Sequence, residues 1–245
     1  MQGRREQFFN HVAKRLAELP SETVSSLIEQ AGGPERVVLV FVDILKGFCE
    51  EGPLASKRVA EMVSPVKALA EALLDQGVPE ENLVFLNDAH PEDAVEFSAF
   101  PPHCIRGTAE SEVVDELQPL LERDGVRVFR KNATNGLFGR DGDGERFFEF
   151  LEKRFAAGPV TFVVVGDCTD LCIYQNAVGI RLLANEHNAR VRVVVPLEHV
   201  RTYDVSVEVA EKTGAPAHDG DVLDELFAYH MLINGVDVVR TVEDR

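Results

Sequence analysis

The sequence predicts an α/β fold, a three-layer αβα sandwich around a mostly parallel sheet of about six strands. Short runs rich in β-branched residues recur along the chain, and segments with helical periodicity lie between them. Several runs are apolar without alternation, which is typical of strands buried on both faces of a parallel sheet. Strands that alternate with helices in this way form sheets covered by helices on both faces.

The individual elements follow from these patterns. The predicted strands are residues 36–43 (RVVLVFVD), 82–87 (NLVFLN), 126–129 (VRVF), 160–166 (VTFVVVG), 191–196 (VRVVVP) and 236–239 (VDVV). The predicted helices are residues 56–76, 111–122, 143–157, 172–187 and 220–233. The first of these helices ends where Gly77 offers a C-terminal stop. No internal repeat or low-complexity linker divides the sequence, so one domain is expected over residues 36–245.

Residues 1–35 precede the first strand and are expected to form a helical extension. Its first helix carries apolar residues on one face, and Ser21 is the expected N-cap of a second, shorter helix. The apolar face either covers the sheet or forms an oligomer contact. The sequence favours the first interpretation, and a homo-oligomer stays open as the alternative.

The composition is that of a globular protein. Of the 245 residues, 45% are hydrophobic and 27% are charged, which excludes disordered and collagen-like chains. Asp and Glu outnumber Lys and Arg by 42 to 25, and the net charge of −17 disfavours nucleic-acid or anionic-membrane partners. The four cysteines, the absence of a long apolar stretch and the charged N-terminus predict a cytoplasmic protein with free thiols.

Polar residues follow four successive strands, at the ends where open α/β sheets bind ligands. The first strand ends in Asp43 and the second is followed by Asp88; Lys131 follows the third, and Cys172 follows the fourth in GDCTDLC. We therefore expect two carboxylates, an ammonium and a thiol to converge at one rim. The Asp43 carboxylate can take a proton from a thiol, and the Lys131 ammonium can keep that carboxylate ionised.

Cys172 is the candidate nucleophile. The helical pattern places it at the start of helix 172–187, where the positive end of the helix dipole favours a thiolate. Backbone N–H groups of the loop 168–172 can point at one spot and form an oxyanion hole. The alternative is a small buried apolar residue, the commonest role of a free cysteine. Cys49 and Cys104 have no base at a suggestive spacing and are expected to pack in the core.

A candidate metal site follows the second strand. Asp88 and His90 lie two residues apart and can face one side of an extended chain, and Glu96 and His103 follow. Carboxylate and imidazole ligands in a mixed set suit Zn²⁺, Mn²⁺ or Fe²⁺. The alternative is a solvated acidic loop.

Two further features of the sequence limit the functions and the site residues that are expected. The sequence contains no glycine-rich phosphate loop, which weighs against a nucleotide enzyme. The histidines outside the candidate metal site lack a partner cluster and are assigned to surface or satisfied core positions; they are His11, His187, His199, His218 and His230.

This constellation resembles the isochorismatase-like cysteine hydrolases, and within them the nicotinamidase (pyrazinamidase) branch. Asp43 and Phe48 match the D-x-Q-x-x-F-like motif of the family, with Leu45 at the Gln position. Lys131 matches the catalytic lysine, and Cys172 matches the nucleophile of the G-x-x-T-x-x-C pattern. The resemblance implies a Rossmann-like topology and the catalytic residues Asp43, Lys131 and Cys172.

The resemblance covers about residues 36–200 and also implies the details of the site. The backbone N–H groups of Cys168 and Cys172 form the oxyanion hole, with a cis peptide bond before Cys168. Phe48 and Phe100 flank the pyridine ring of the substrate. The D-x-H and F-P-P-H-C motifs imply a divalent metal, zinc among the options, held by Asp88, His90, Glu96 and His103.

The implied activity is hydrolysis of nicotinamide to nicotinate and ammonia through a thioester on Cys172, a reaction of NAD salvage. The partner expected is a small amide, with no nucleic acid and no membrane. One alternative is another amidase of the same family, of the ureidoacrylate or N-carbamoyl type, with a different pocket. A non-catalytic family member is the weaker alternative.

Overall fold

The computed structural model describes residues 2–244 and contains a central sheet of seven strands. Along the sheet the order is β4-β3-β2-β5-β6-β8, with β7 paired to the end of β5, and all these pairings are parallel. The strands are β1 Glu22–Thr23, β2 Val37–Val42, β3 Leu83–Asp88, β4 Arg127–Lys131, β5 Val160–Asp167, β6 Val191–Pro196, β7 Val200–Arg201, β8 Asp237–Val239 and β9 Val242–Glu243. The six predicted strands are all present.

Helices cover both faces of this sheet. The α-helices are α1 Gln2–Ala17, α2 Val24–Ala31, α3 Lys46–Cys49, α4 Lys57–Ala60, α5 Val63–Asp75, α6 Gln118–Leu121, α7 Phe147–Ala157, α8 Tyr174–Glu186, α9 Val207–Thr213 and α10 Gly220–Ile233. Leu39 and Phe41 of β2 pack with α2 and α5. Val38 and Val40 pack in a second core with α1, α7, α8 and α10. The predicted three-layer sandwich is confirmed.

The strand order places the candidate residues side by side. Four adjacent strands of the sheet run in the same direction, namely β4, β3, β2 and β5. Their carboxyl ends therefore meet along one rim, which carries Lys131, Asp88, Asp43 and Asp167 in that order.

The predicted helix at residues 111–122 is wrong. The structure has only 3₁₀ turns there, followed by the single turn α6. Val113 instead pairs with Leu45 in an antiparallel bridge, and the N–H of Val114 bonds to the carbonyl of Ile44. Tertiary hydrogen bonds take the backbone groups that a helix would have used, and they override local helical periodicity.

Several predicted helix bounds also change. The helix predicted at 56–76 is split into α4 and α5, because Pro65 lacks an N–H and fits only the first turn of a helix. The helix α7 begins at Phe147, since residues preceding it pair with Arg130 and with each other. Thr23, and not Ser21, caps α2, accepting a hydrogen bond from the N–H of Ser26.

The N-terminal segment lies against the C-terminal part of the chain. Strand β1 pairs in parallel with β9, and the Phe8 ring of α1 lies 5.9 Å from Tyr229 of α10. Val12 of α1 is buried, whereas Phe8 stays 47% exposed. No helix among residues 2–244 is long and apolar enough to cross a membrane.

Candidate active site

A buried ammonium joins two carboxylates at the sheet rim. Lys131 Nζ lies 2.7 Å from Asp43 Oδ2 and 2.6 Å from Asp88 Oδ1. The backbone N–H of Asp88 also donates a hydrogen bond to Asp43 Oδ1 at 2.8 Å, which ties the Asp43 carboxylate to the end of β3. Burial opposes the charged form of Lys131, but the two carboxylates outweigh it and raise its pKa well above the ordinary value. The lysine is therefore a fixed positive charge.

The Cys172 thiol lies beside this group. Lys131 Nζ is 3.7 Å from Cys172 Sγ, and ligand atoms of Asp43, Asp88 and Cys172 lie within 4.8 Å of one another. Burial, reinforced by the negative charge of Asp88, raises the pKa of Asp43 to about 6. A carboxylate next to a thiol, with a pKa raised towards neutrality, has the properties of a general base.

The environment of Cys172 differs from the prediction. The residue lies in a π-helical turn, Thr169–Ile173, and α8 begins only at Tyr174. Burial raises the pKa of Cys172 well above its ordinary value, which favours the neutral thiol over the thiolate. The helix dipole does not decide the protonation state, because desolvation of a fully buried sulfur penalises the thiolate more strongly.

A second cluster next to Lys131 has the composition of a metal site. Ligand atoms of Asp88, His90 and His103 lie within 4.8 Å of one another, and all three side chains are buried. His90 Nδ1 lies 2.8 Å from Asn132 Oδ1, and His103 Nδ1 lies 2.8 Å from the carbonyl of Pro101. Both partners accept hydrogen bonds, so each ring carries its proton on Nδ1 and presents the Nε2 lone pair.

The Nε2 atoms face Asp88. His90 Nε2 lies 3.6 Å from Asp88 Oδ1, and His103 Nε2 lies 3.9 Å from Asp88 Oδ2. His90 Nε2 is buried and hydrogen-bonds to no group among residues 2–244. Two imidazole lone pairs and a carboxylate converging on one spot, each imidazole oriented by an outer partner, fit a divalent cation.

Glu96 lies nearby, but it is not in the set of ligand atoms that lie within 4.8 Å of one another. Its half-buried side chain lines the same pocket as Asp88 and His103, and burial together with the charge of Asp88 raises its pKa. The ring of Phe97, which the sequence analysis did not select, lies 5.4 Å from His90 and 5.7 Å from His103. Its only sequence signal is its position between two candidate ligands.

A pocket with about 440 Å³ of empty space, including its open mouth, adjoins both clusters. The twelve lining residues are Phe48, Leu54, Asp88, Glu96, Phe100, His103, Thr134, Asp167, Cys168, Leu171, Cys172 and Tyr203. The aromatic rings of Phe48 and Phe100 lie 5.6 and 6.1 Å from that of His103. This volume and its largely apolar lining suit one small molecule.

The backbone around Cys172 has an uncommon geometry. The peptide bond between Asp167 and Cys168 is cis, at the position that the family resemblance implies. Cys168 and Cys172 both line the pocket, at the two ends of one π-helical turn. The other two cysteines, Cys49 and Cys104, are buried in the apolar core, as predicted, and burial raises their pKa values.

One wall of the pocket comes from a segment that sequence reasoning left without a role. The ring of Tyr203 stacks on His218 with centroids 3.7 Å apart. His218 Nε2 lies 2.9 Å from Asp170 Oδ2, and its Nδ1 lies 2.9 Å from the carbonyl of Tyr203. Thr202 donates to the other oxygen of Asp170 at 2.5 Å.

His218 is thus a satisfied core histidine, which is one of the two positions expected for it, but the prediction that it lacks a partner cluster is wrong. Its partner Asp170 is 48 residues away in the sequence, on the turn between Cys168 and Cys172. No local spacing connects the two residues.

Comparison with known proteins agrees with this geometry. The family model described as Isochorismatase domain matches residues 37–195. Nicotinamidase 1 of Arabidopsis thaliana is 32% identical over 221 residues, which are 84% of this chain and 86% of the relative. The Nicotinamidase/pyrazinamidase of Mycobacterium tuberculosis is 29% identical over 189 residues, covering 71% of this chain and 92% of the relative.

A solved structure shows the same architecture. The N-carbamoylsarcosine amidase from Thermoplasma acidophilum superposes with a TM-score of 0.58 at 25% identity, over 84% of this chain and 96% of that one. The chain is thus an amide-bond hydrolase by class. It belongs to the isochorismatase domain family and is similar to nicotinamidases over most of its length.

Proposed function

We propose that this protein is a metal-containing cysteine amidohydrolase that converts nicotinamide and water to nicotinate and ammonia, in NAD salvage. The observation that carries the proposal is the convergence of a base, an ammonium and a thiol on one small pocket. The two relatives named as nicotinamidases support the choice of substrate. The four cysteines are all free thiols, which favours a cytoplasmic location.

In the first half of the reaction, Asp43 accepts the proton of Cys172. Lys131, 2.7 Å from Asp43, holds the carboxylate in place and offsets the negative charge that forms on sulfur. The thiolate attacks the amide carbonyl carbon, and the backbone N–H groups of Cys168 and Cys172 stabilise the oxyanion. Asp43 then returns the proton to the departing nitrogen, which leaves as ammonia.

The second half regenerates the enzyme. The acyl group is now a thioester on Cys172, and Asp43 takes a proton from a water molecule that attacks the thioester carbonyl. The carbon–sulfur bond breaks and the proton on Asp43 returns to the sulfur. The second proton of the water leaves with the product acid, which ionises to nicotinate in solution. Lys131 stays protonated throughout, because both of its carboxylate partners raise its pKa.

Asp88, His90 and His103 would hold the metal ion, with Glu96 as a fourth ligand from the pocket wall. The donor set suits Zn²⁺, Mn²⁺ or Fe²⁺. When bound, the ion supplies a Lewis-acid contact that orients the substrate ring. Phe48 and Phe100 would flank that ring, since both line the pocket and both lie next to His103.

The test is ammonia release from nicotinamide by the metal-loaded protein. Cys172→Ala should abolish turnover, because it removes the nucleophile, and should leave the metal content unchanged, because no proposed ligand is altered. Cys49→Ala is the matched control, as this buried thiol packs in the core and does not line the pocket. Amidase activity retained in Cys172→Ala would refute the assignment of the nucleophile.

A second candidate is an amidase that cleaves N-carbamoyl or ureidoacrylate-type amides. The likeness at 25% identity to an N-carbamoylsarcosine amidase favours it. Ammonia release from nicotinamide and from N-carbamoyl amides, each measured with and without a chelator, separates the two. If only the carbamoyl compounds are hydrolysed, and the hydrolysis resists the chelator, the second candidate replaces the nicotinamidase proposal. A protein that hydrolyses neither kind of amide would be a non-catalytic family member.

A further inference from the structure

Asp167 is a carboxyl group in the pocket that the mechanism does not use. It is the last residue of β5, lines the pocket next to Cys168 and is only 1% exposed. Its Oδ2 is buried and has no hydrogen-bond partner among residues 2–244. Its Oδ1 receives only a weak contact from the thiol of Cys168, at 3.9 Å. One side of this carboxyl is therefore free for a hydrogen bond.

No counter-ion balances Asp167. The nearby ammonium of Lys131 forms ion pairs with Asp43 and Asp88. Asp167 takes part in no ion pair within the described residues. Burial, together with the negative charge of Asp43, raises the pKa of Asp167 well above its ordinary value. This shift favours the neutral carboxylic acid, which offers one O–H donor and one carbonyl acceptor.

Buried polar atoms are almost always hydrogen-bonded, so a buried carboxyl oxygen without a partner, on a residue that lines the pocket, points to a ligand atom as its partner. Much of the surrounding pocket wall is apolar and cannot form such bonds, as at Phe48, Leu54 and Leu171. Asp43 and Lys131 already form an ion pair with each other. Asp167 is thus placed to recognise a polar substrate atom without taking part in bond cleavage.

We infer that Asp167 is a specificity-determining residue that hydrogen-bonds the bound substrate. This inference rests on the proposed amidase function and deepens it. The ligand class it selects is small planar amides with a hydrogen-bonding atom facing the end of β5. Apolar analogues of the same shape are disfavoured, because they leave a buried carboxyl without a partner.

The experiment compares Asp167→Asn with Asp167→Leu. Asn keeps a neutral side chain with a donor and an acceptor, whereas Leu keeps the approximate size and removes both. We expect kcat/KM for the best amide to stay within about threefold in Asp167→Asn and to fall about 10- to 100-fold in Asp167→Leu. Thr161→Val, which alters a buried polar residue of the same strand away from the pocket, should match the wild type.

The substrates form a shape-matched series, namely pyrazinamide, nicotinamide and benzamide, in which ring nitrogens are replaced by CH. The rate of Cys172 alkylation by iodoacetamide shows whether the nucleophile stays in place. An unchanged alkylation rate together with a fall in kcat/KM in the Leu variant alone supports the inference. Wild-type kcat/KM in Asp167→Leu overturns it, and so do equal losses in Asn and Leu with slower alkylation.

Binding of the same amides in a Cys172→Ala background keeps the two proposals apart. Binding that is weakened by Asp167→Leu and retained in Asp167→Asn supports the role of Asp167. This conclusion holds even if the wild type releases no ammonia, because the lack of ammonia release would refute only the proposed reaction. Binding that is identical in the Asn and Leu variants, or no binding of any amide, overturns the inference.

Discussion

Two clusters of aspartate and histidine flank the same pocket, and they are built in opposite ways. In the first, His90 and His103 face Asp88 with Nε2–Oδ distances of 3.6 and 3.9 Å, and His90 Nε2 has no hydrogen-bond partner among the described residues. In the second, both ring nitrogens of His218 have partners at 2.9 Å, one of them Asp170.

The difference shows what each cluster is for. A buried ligand atom without a partner in the protein, as at His90 Nε2, leaves room for a ligand, and the donor set of this cluster fits a cation. A set whose polar atoms are all paired fixes the geometry of its surroundings instead. The pair Asp170–His218 joins the π-helical turn Thr169–Ile173 to the segment that carries Tyr203.

The largest effect should follow removal of a ligand from the first cluster. His90→Ala or His103→Ala deletes an imidazole lone pair, and each should lower metal affinity by more than the roughly 10- to 100-fold that loss of an outer partner causes. Metal content after dialysis and ammonia release measure the two consequences. Full metal occupancy in both variants would contradict the assignment of this cluster.

Loss of an outer partner should have an intermediate effect. Asn132→Leu removes the acceptor that lies 2.8 Å from His90 Nδ1 and leaves all proposed ligands in place. Metal affinity should fall about 10- to 100-fold, because the ring is no longer held in one orientation and tautomer. Titration with a competing chelator measures this, and an affinity equal to the wild type would mean that Asn132 does not orient the ring.

Disrupting the second cluster should alter stability and substrate binding without altering metal content. His218→Gln removes a hydrogen bond to a buried carboxylate and the ring on which Tyr203 stacks, so the free energy of unfolding should fall by about 1–3 kcal/mol. The KM should rise because the pocket wall is displaced. Denaturant unfolding and steady-state kinetics check both effects.

The matched control for that variant is His187→Gln. His187 also pairs with a carboxylate, Glu152 at 3.1 Å, but on the surface, where such pairs contribute little. Its KM and unfolding free energy should stay close to the wild type. A loss of bound metal in His218→Gln would break the distinction between the two clusters.

The smallest effect concerns the Tyr203 hydroxyl. Tyr203→Phe keeps the ring that stacks on His218 and that lines the pocket, so kcat/KM should stay within about twofold of the wild type. Tyr203→Ala removes the ring and should raise KM. A large loss in the Phe variant would show that the hydroxyl contacts the substrate.

Much of the fold and of the site followed from local sequence. The apolar runs of β2, β3 and β5 are each long enough to identify a buried strand. A polar residue that directly follows such a strand lies at the carboxyl edge of the sheet. The sequence alone therefore predicts that four residues lie close together, namely Asp43, Asp88, Lys131 and Cys172.

The sequence by itself thus determined the sandwich, the rim and the residues that the rim carries, because these depend on patterns within single segments. Only the tertiary structure decided that residues 111–122 fold against Leu45 instead of forming a helix. It alone paired His218 with Asp170 and left Asp167 buried without a partner. These features depend on which distant groups compete for a hydrogen bond or exclude water, and folding settles that competition through contacts between segments far apart in the chain.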